Sequence, residues 1–196
     1  MNADTVREAY EAVRAEAGAG VTVVAATKYV PLEQLGVLVA AGIEVVGENR
    51  AQELARKHSV FGEAFRWHFI GALQSNKVKV VNAVCELVHS LDSDSAARRL
   101  TVPALLEVNL AGEASKSGVG ESEIAGYLAR YPLIRGLMTM PPFAEDPEES
   151  RPTFRRLAQL ARDHGLAELS MGTSQDWRVA VEEGATLIRV GSTLFR

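Results

Sequence analysis

Lys28 ends the short apolar run Val21-Thr22-Val23-Val24-Ala25-Ala26-Thr27. A primary amine is the side-chain group that forms a Schiff base with an aldehyde, most readily where partial burial lowers its pKa. A strand-end lysine that simply reaches into solvent is the plainer reading of the same residue. Two further stretches have anion chemistry: Ser170-Met171-Gly172-Thr173-Ser174 and Arg189-Val190-Gly191-Ser192-Thr193. Small residues at a strand-to-helix turn let backbone N–H groups approach an anion, and hydroxyls and a following helix N-terminus add to the attraction. Either turn alone also fits a helix cap. Both together, with Arg189 beside one of them, favour a phosphate site.

The elements that must bring these residues together are legible as alternating patterns. Eight β-branched or apolar runs stand out: 21–26, 43–46, 67–70, 86–89, 104–108, 133–138, 167–170 and 186–190. Amphipathic stretches lie between them at 32–41, 51–58, 76–83, 94–100, 121–131, 147–164 and 175–183, and one more, 4–17, precedes the first run. Strands alternating with helices imply parallel pairing through right-handed crossovers. Eight such units predict an α/β fold, a single (β/α)8 TIM-type barrel over residues 1–196 with an extra N-terminal helix. An open doubly wound sheet is the structural alternative. The chain is short for such a barrel, whose usual lower bound is roughly 200 residues. Residues 92–102 leave little room for a helix with two connections. Pro141, Pro142 and Pro147 mark a long loop after the sixth strand, on the functional rim.

In a closed barrel the first strand neighbours the eighth, and phosphate sites are frequently built by the loops after strands seven and eight. An aldehyde-reactive amine beside a phosphate anchor is the minimal description of a pyridoxal 5′-phosphate (PLP) site. Several stretches then carry a resemblance. They are Ala25-Ala26-Thr27-Lys28, Gly47-Glu48-Asn49-Arg50, His68-Phe69-Ile70-Gly71-Ala72-Leu73-Gln74-Ser75-Asn76-Lys77, Val108-Asn109 with Lys116-Ser117-Gly118, Gly136-Leu137-Met138-Thr139-Met140-Pro141, and Ser170 to Ser174. In this order the chain resembles the PLP homeostasis proteins (the YggS/PROSC family), which are similar to the N-terminal barrel domain of alanine racemase. The resemblance implies a Schiff-base lysine at Lys28 and phosphate contacts from Ser174, Gly191 and Ser192. It places Arg189 close by, facing either the phosphate or the pyridine nitrogen, and it places Asn49, His68 and Asn109 around the ring or pocket. Three departures stand against the family pattern: the short fourth helix, Thr173 where a methionine is usual, and Arg196 after Phe195 where a glycine is usual.

Other chemistry is poorly supported. The chain carries 21 basic and 25 acidic residues, mixed in sign, so neither nucleic acid nor an anionic membrane is an expected partner. Cys85 is the single cysteine, set in an apolar stretch where it reads as a small buried hydrophobe. His58, His68, His89 and His164 have no metal-ligand spacing, and no metal is expected. Glu48 could act on the site or pair with Arg50. Trp177 reads as packing, and Lys57, Lys77 and Lys79 are too isolated for a nucleic-acid patch. Without an apolar leader in MNADTVREAY or a membrane-length apolar run, the expected location is cytoplasmic; with no room for the second domain through which racemases dimerise, the expected state is a monomer.

Three functions fit this reading. The first is a non-catalytic PLP carrier that buffers the aldehyde and delivers it to PLP-requiring apoenzymes. The second is a PLP-dependent amino-acid racemase, which needs an acid/base group on each face of the substrate. Of the tyrosines, Tyr10, Tyr127 and Tyr131 fall on outer helices, and strand alternation turns Tyr29 away from Lys28. The third is a barrel enzyme using Lys28 as an aldolase-type amine on a sugar phosphate. The carrier reading is preferred.

Overall fold

A computed structural model describes residues 1–110 and 117–195. Eight parallel strands close into a barrel in chain order: β1 (Thr22–Ala26), β2 (Val45–Glu48), β3 (Arg66–Phe69), β4 (Leu87–Leu91), β5 (Ala104–Glu107), β6 (Ile134–Met138), β7 (Glu168–Thr173) and β8 (Leu187–Val190). This excludes the open sheet. Helix α1 (Ala3–Ala17) precedes the barrel; α2 (Leu35–Ala40), α3 (Ala51–Phe61), α4 (Val78–Val84), α5 (Asp94–Ala97), α6 (Ile124–Arg130), α7 (Arg151–Asp163) and α8 (Trp177–Glu182) follow successive strands. The short 92–102 segment is accounted for by α5, a single turn of four residues. No helix among the described residues is long and apolar enough to cross a membrane.

Local sequence explains the elements. Helix α1 starts where the Asn2 side chain accepts the Asp4 N–H at 2.8 Å, and it buries Val6, Tyr10, Val13 and Ala17 along one stripe. Helix α7 carries a proline in its first turn and buries Phe154, Leu157, Ala158, Leu160 and Ala161. The strands are buried on both faces, as a parallel sheet between helices and an axial core requires. Val24, Val45, Leu87, Leu105, Met138 and Leu187, each from a different strand, form a small apolar cluster with Ile70 inside the barrel. The larger cluster lies between strands and helices.

The interior also holds a buried polar chain. His68 Nδ1 lies 2.9 Å from His89 Nε2, and His89 Nδ1 lies 2.7 Å from Ser170 Oγ. Ser170 Oγ accepts from Arg189, whose Nη2 also donates to the Thr139 carbonyl at 3.2 Å. Arginine only donates, so the economical arrangement has Ser170 donating to His89 and His89 donating to His68. Burial lowers the His68 pKa to about 4 and pushes His89 well below its usual range.

Two outcomes follow from this packing. Gly172 has φ +91°, and a Cβ there would lie 2.6 Å from the Ala180 Cβ and 2.9 Å from the Trp177 Cα, so α8 docks only because this residue is glycine. Gly172→Ala is expected to destabilise the fold by about 2–4 kcal/mol in urea unfolding, combining a left-handed non-glycine residue with overpacking. The buried histidines stay neutral in the fold, while in the unfolded chain they take up protons near pH 6.5. Their contribution is therefore complete above about pH 6.5 and is lost as pH falls towards 4, by up to about 1.4 kcal/mol per pH unit for each ring. Urea midpoints at pH 7, 6 and 5 check the sign.

Candidate functional site

Lys28, Asn49, Ser174, Arg189, Gly191 and Ser192 all line one open cavity of about 1110 Å³ at the C-terminal ends of the strands. Its position is set by strand parity. Val24 faces the barrel axis, so Ala26 and Lys28 follow on the same side and Thr27 faces outward. Likewise Val45 and Gly47 lead inward to Asn49, while Glu48 turns out towards α3. Lys28 is solvent-exposed within this cavity, so the burial expected of it in the sequence is not what the structure provides.

Outward-facing Thr27 and Glu48 meet Lys57 of α3. Lys57 Nζ lies 2.5 Å from Glu48 Oε1 and donates to the Thr27 carbonyl at 2.8 Å, while Thr27 Oγ1 donates to Glu48 Oε1 at 2.6 Å. Glu48 thus pairs neither with Arg50 nor with anything in the cavity. Lys57 is buried, which removes it from any surface cluster with Lys77 and Lys79.

Ser174 and the turn after β8 line another part of the same cavity. Asp176 shapes the first turn: its Oδ1 accepts the Thr173 N–H at 2.7 Å and the Thr173 hydroxyl at 3.1 Å. Ser174 Oγ is then the point on which two backbone donors converge, Gly191 N–H at 2.9 Å and Thr193 N–H at 3.3 Å. A Cβ on Gly191 would sit 3.2 Å from the Ala26 carbonyl, so the bare glycine lets β8 run past β1 without crowding it. Converging N–H groups with a hydroxyl and an exposed serine, Ser192, suit a phosphate. Thr193, quoted in the second serine- and glycine-containing stretch, contributes a backbone amide, which no side-chain pattern reveals. Thr173 stays within the cavity wall and leaves Ser174 in place.

Arg189 reaches the cavity from below, buried, with its pKa lowered to about 10 by that burial despite the opposing charges of Glu107 and Asp176. His68 does not line the cavity; it lies in the barrel interior and is joined to Arg189 only through His89 and Ser170. Asn109 lines a smaller neighbouring cavity of about 290 Å³ with Glu107, Thr139 and Phe143. Lys116, quoted with Ser117 and Gly118, lies outside the described residues.

Two residues enter the site unannounced. Glu107 lines both cavities, its carboxyl pKa raised by burial and restrained by the Ser117 hydroxyl, which donates to Oε1 at 2.8 Å. Alternation along β5 with Leu105 inside was the signal that could have found it. Tyr29, expected to turn away, stands on the rim with Lys28 Nζ 5.0 Å from its ring centroid. The remaining tyrosines are structural: Tyr10 and Tyr127 are buried, and Tyr131, which follows α6 rather than lying on it, donates to Asp94 at 2.8 Å.

Comparison with known proteins agrees with this fold. No protein-family model matches the chain. A pyridoxal phosphate homeostasis protein of Aquifex aeolicus is 41% identical over 191 residues, covering 87% of this chain and 84% of that protein. The structure of PipY from Synechococcus elongatus PCC7942, solved with PLP bound, superposes with a TM-score of 0.87 at 31% identity over 97% of this chain and 100% of that one. Alanine racemase from Corynebacterium glutamicum shares the fold, with a TM-score of 0.73 at 17% identity over 100% of this chain and 61% of the racemase. The similarity to curated relatives spans nearly the whole chain, and on that ground the chain belongs to the pyridoxal phosphate homeostasis protein family.

Proposed function

We propose that this chain, as one domain, binds PLP through a Schiff base on Lys28 and serves intracellular PLP homeostasis, buffering the aldehyde and delivering it to PLP-requiring apoenzymes without turnover of its own. The observation that carries this reading is the shared cavity: an accessible strand-end amine faces the same space as two backbone N–H groups converging on a serine hydroxyl. The family membership and the PLP found in PipY support the choice of cofactor.

The chemistry asked of the residues is modest. Lys28 would hold the cofactor through its amine, and the aldehyde would supply the group with which a primary amine condenses, with loss of water. Ser174, Gly191, Thr193 and Ser192 would hold the phosphate, and Asn49 and Arg189 would border the ring. Arg189 is a fixed hydrogen-bond donor, held by Ser170 and Thr139 beneath the cavity. Facing the pyridine nitrogen rather than the phosphate, such a donor-only group would leave that nitrogen unprotonated and the ring a weak electron sink, which would favour storage over catalysis.

The racemase alternative needs a second proton-transfer group opposite the lysine. Tyr29 is the tyrosine at the cavity, but it stands beside Lys28, with the amine over its ring face. Glu107 is a buried carboxyl at the cavity, and its place between the two cavities makes it the residue to test.

PLP titration followed by absorbance is expected to give a yellow, one-to-one adduct with the natural chain and none with Lys28→Ala. Ser174→Ala is expected to weaken binding about tenfold, the loss of one anion-holding hydroxyl. Alanine in deuterated water should acquire no α-deuterium on incubation with the PLP-loaded protein. Exchange at a rate that Glu107→Gln abolishes would overturn the carrier in favour of an enzyme. A protein that stays colourless in excess PLP would overturn the cofactor assignment and return Lys28 to aldolase-type chemistry on a sugar phosphate.

A further inference from the structure

The layer between a barrel and its helices is normally apolar, yet Thr27, Glu48 and Lys57 place an ion pair there. Glu48 and Lys57 have side chains 1% and 2% exposed. Burying such a pair costs several kcal/mol per ion in desolvation, and apolar residues of similar volume often serve the fold as well or better. Glu48 Oε2 is moreover buried with no hydrogen-bond partner among the described residues, a further cost. A contribution to stability is therefore a poor explanation for the pair.

Its geometry offers a better one. The Thr27 carbonyl belongs to the peptide group from which Lys28 begins, and Lys57 Nζ donates to it at 2.8 Å. On the same residue the N–H donates to the Gly47 carbonyl at 3.0 Å and the hydroxyl to Glu48 Oε1 at 2.6 Å. Thr27 is wholly buried, while Lys28, the next residue, is exposed. Three of its polar groups are thus held from β2 and α3, so the strand end cannot rotate about its axis. Glu48 occupies the same place on β2, one residue before Asn49. The clamp therefore fixes two cavity-lining side chains by holding the outward residue that precedes each.

We propose that the Glu48–Lys57 ion pair is a positioning device for Lys28, aligning its amine with the phosphate cradle of β7 and β8 through the Thr27 peptide. This rests on Lys28 being the amine that takes PLP. The test replaces both charges by apolar residues of similar size, Glu48→Leu with Lys57→Met, and reads three quantities. One is the melting temperature. The second is the Schiff-base formation constant from PLP absorbance titration. The third is the affinity for 4′-deoxypyridoxine 5′-phosphate, which keeps ring and phosphate but has no aldehyde.

The expected result is an unchanged or raised melting temperature, a Schiff-base constant about ten- to a hundredfold lower, and a deoxy-analogue affinity within about twofold of the natural chain. Thr27→Val, which leaves the ion pair in place, is expected to lower the Schiff-base constant about fivefold, the loss of one hydrogen bond, and Thr27→Ser to restore it. This pair carries the test by the same two constants should the double variant fail to fold. An unchanged Schiff-base constant, or an equal fall in both constants, would overturn the proposal and leave the pair a structural one. A natural chain that binds the deoxy analogue yet forms no Schiff base would overturn the assignment of Lys28 itself, and the two failures are told apart by that control.

Discussion

The pairing of β1 with β8 is the constraint on which the site depends. It joins Val24 to Arg189 and Ala25 to Val190 and so closes the barrel without a free edge. Closure fixes more than shape. With the register set, each strand residue is committed to the axis or to the helices, and a slip of one residue would exchange the two sets. Lys28 and Gly191 then end adjacent strands, although 163 positions separate them in the sequence numbering. An amine and a serine- and glycine-rich turn so far apart in the chain line one cavity because the first and last strands pair.

A second consequence is the polarity of the barrel interior. An apolar cluster fills part of it, but His68, His89, Ser170, Arg189 and Glu107 are buried there too. A linked polar chain in a low-dielectric space holds its members tightly, because any broken bond leaves a costly unpaired group. That cost falls on pH tolerance through the two neutral histidines. The return is an arginine held rigidly beneath a cavity. The same economy appears outside the strands, where a buried ion pair stands against the end of β1.

The sequence carried the architecture well because barrel strands and helices have distinct periods, and eight repeats reinforce one another. Strand boundaries drifted by one to three residues, most at β7, which runs on through the serine- and glycine-rich turn to Thr173. That Lys28, Ser174 and Gly191 line one cavity was legible, because each stands at a strand end and the barrel joins the first strand to the last. Glu48 and Lys57 were not, since charged residues are by default exposed and nothing local shows that two of them share a buried space. His68 was misplaced for a related reason: a family motif marks a position as significant without saying whether it touches a ligand or supports what does. Tyr29 escaped because the chain turns at residues 28 and 29, so the alternation that still places Thr27 and Lys28 no longer sets the side of the next residue.

Peptide mapping after borohydride reduction tests the central claim most directly. The protein, purified and saturated with PLP, is reduced and digested, and the pyridoxyl adduct is located by mass spectrometry. The account predicts one adduct per chain, on the peptide containing Lys28, with Lys57 unmodified. An adduct distributed over exposed lysines such as Lys77 and Lys79, or none on Lys28, would contradict it.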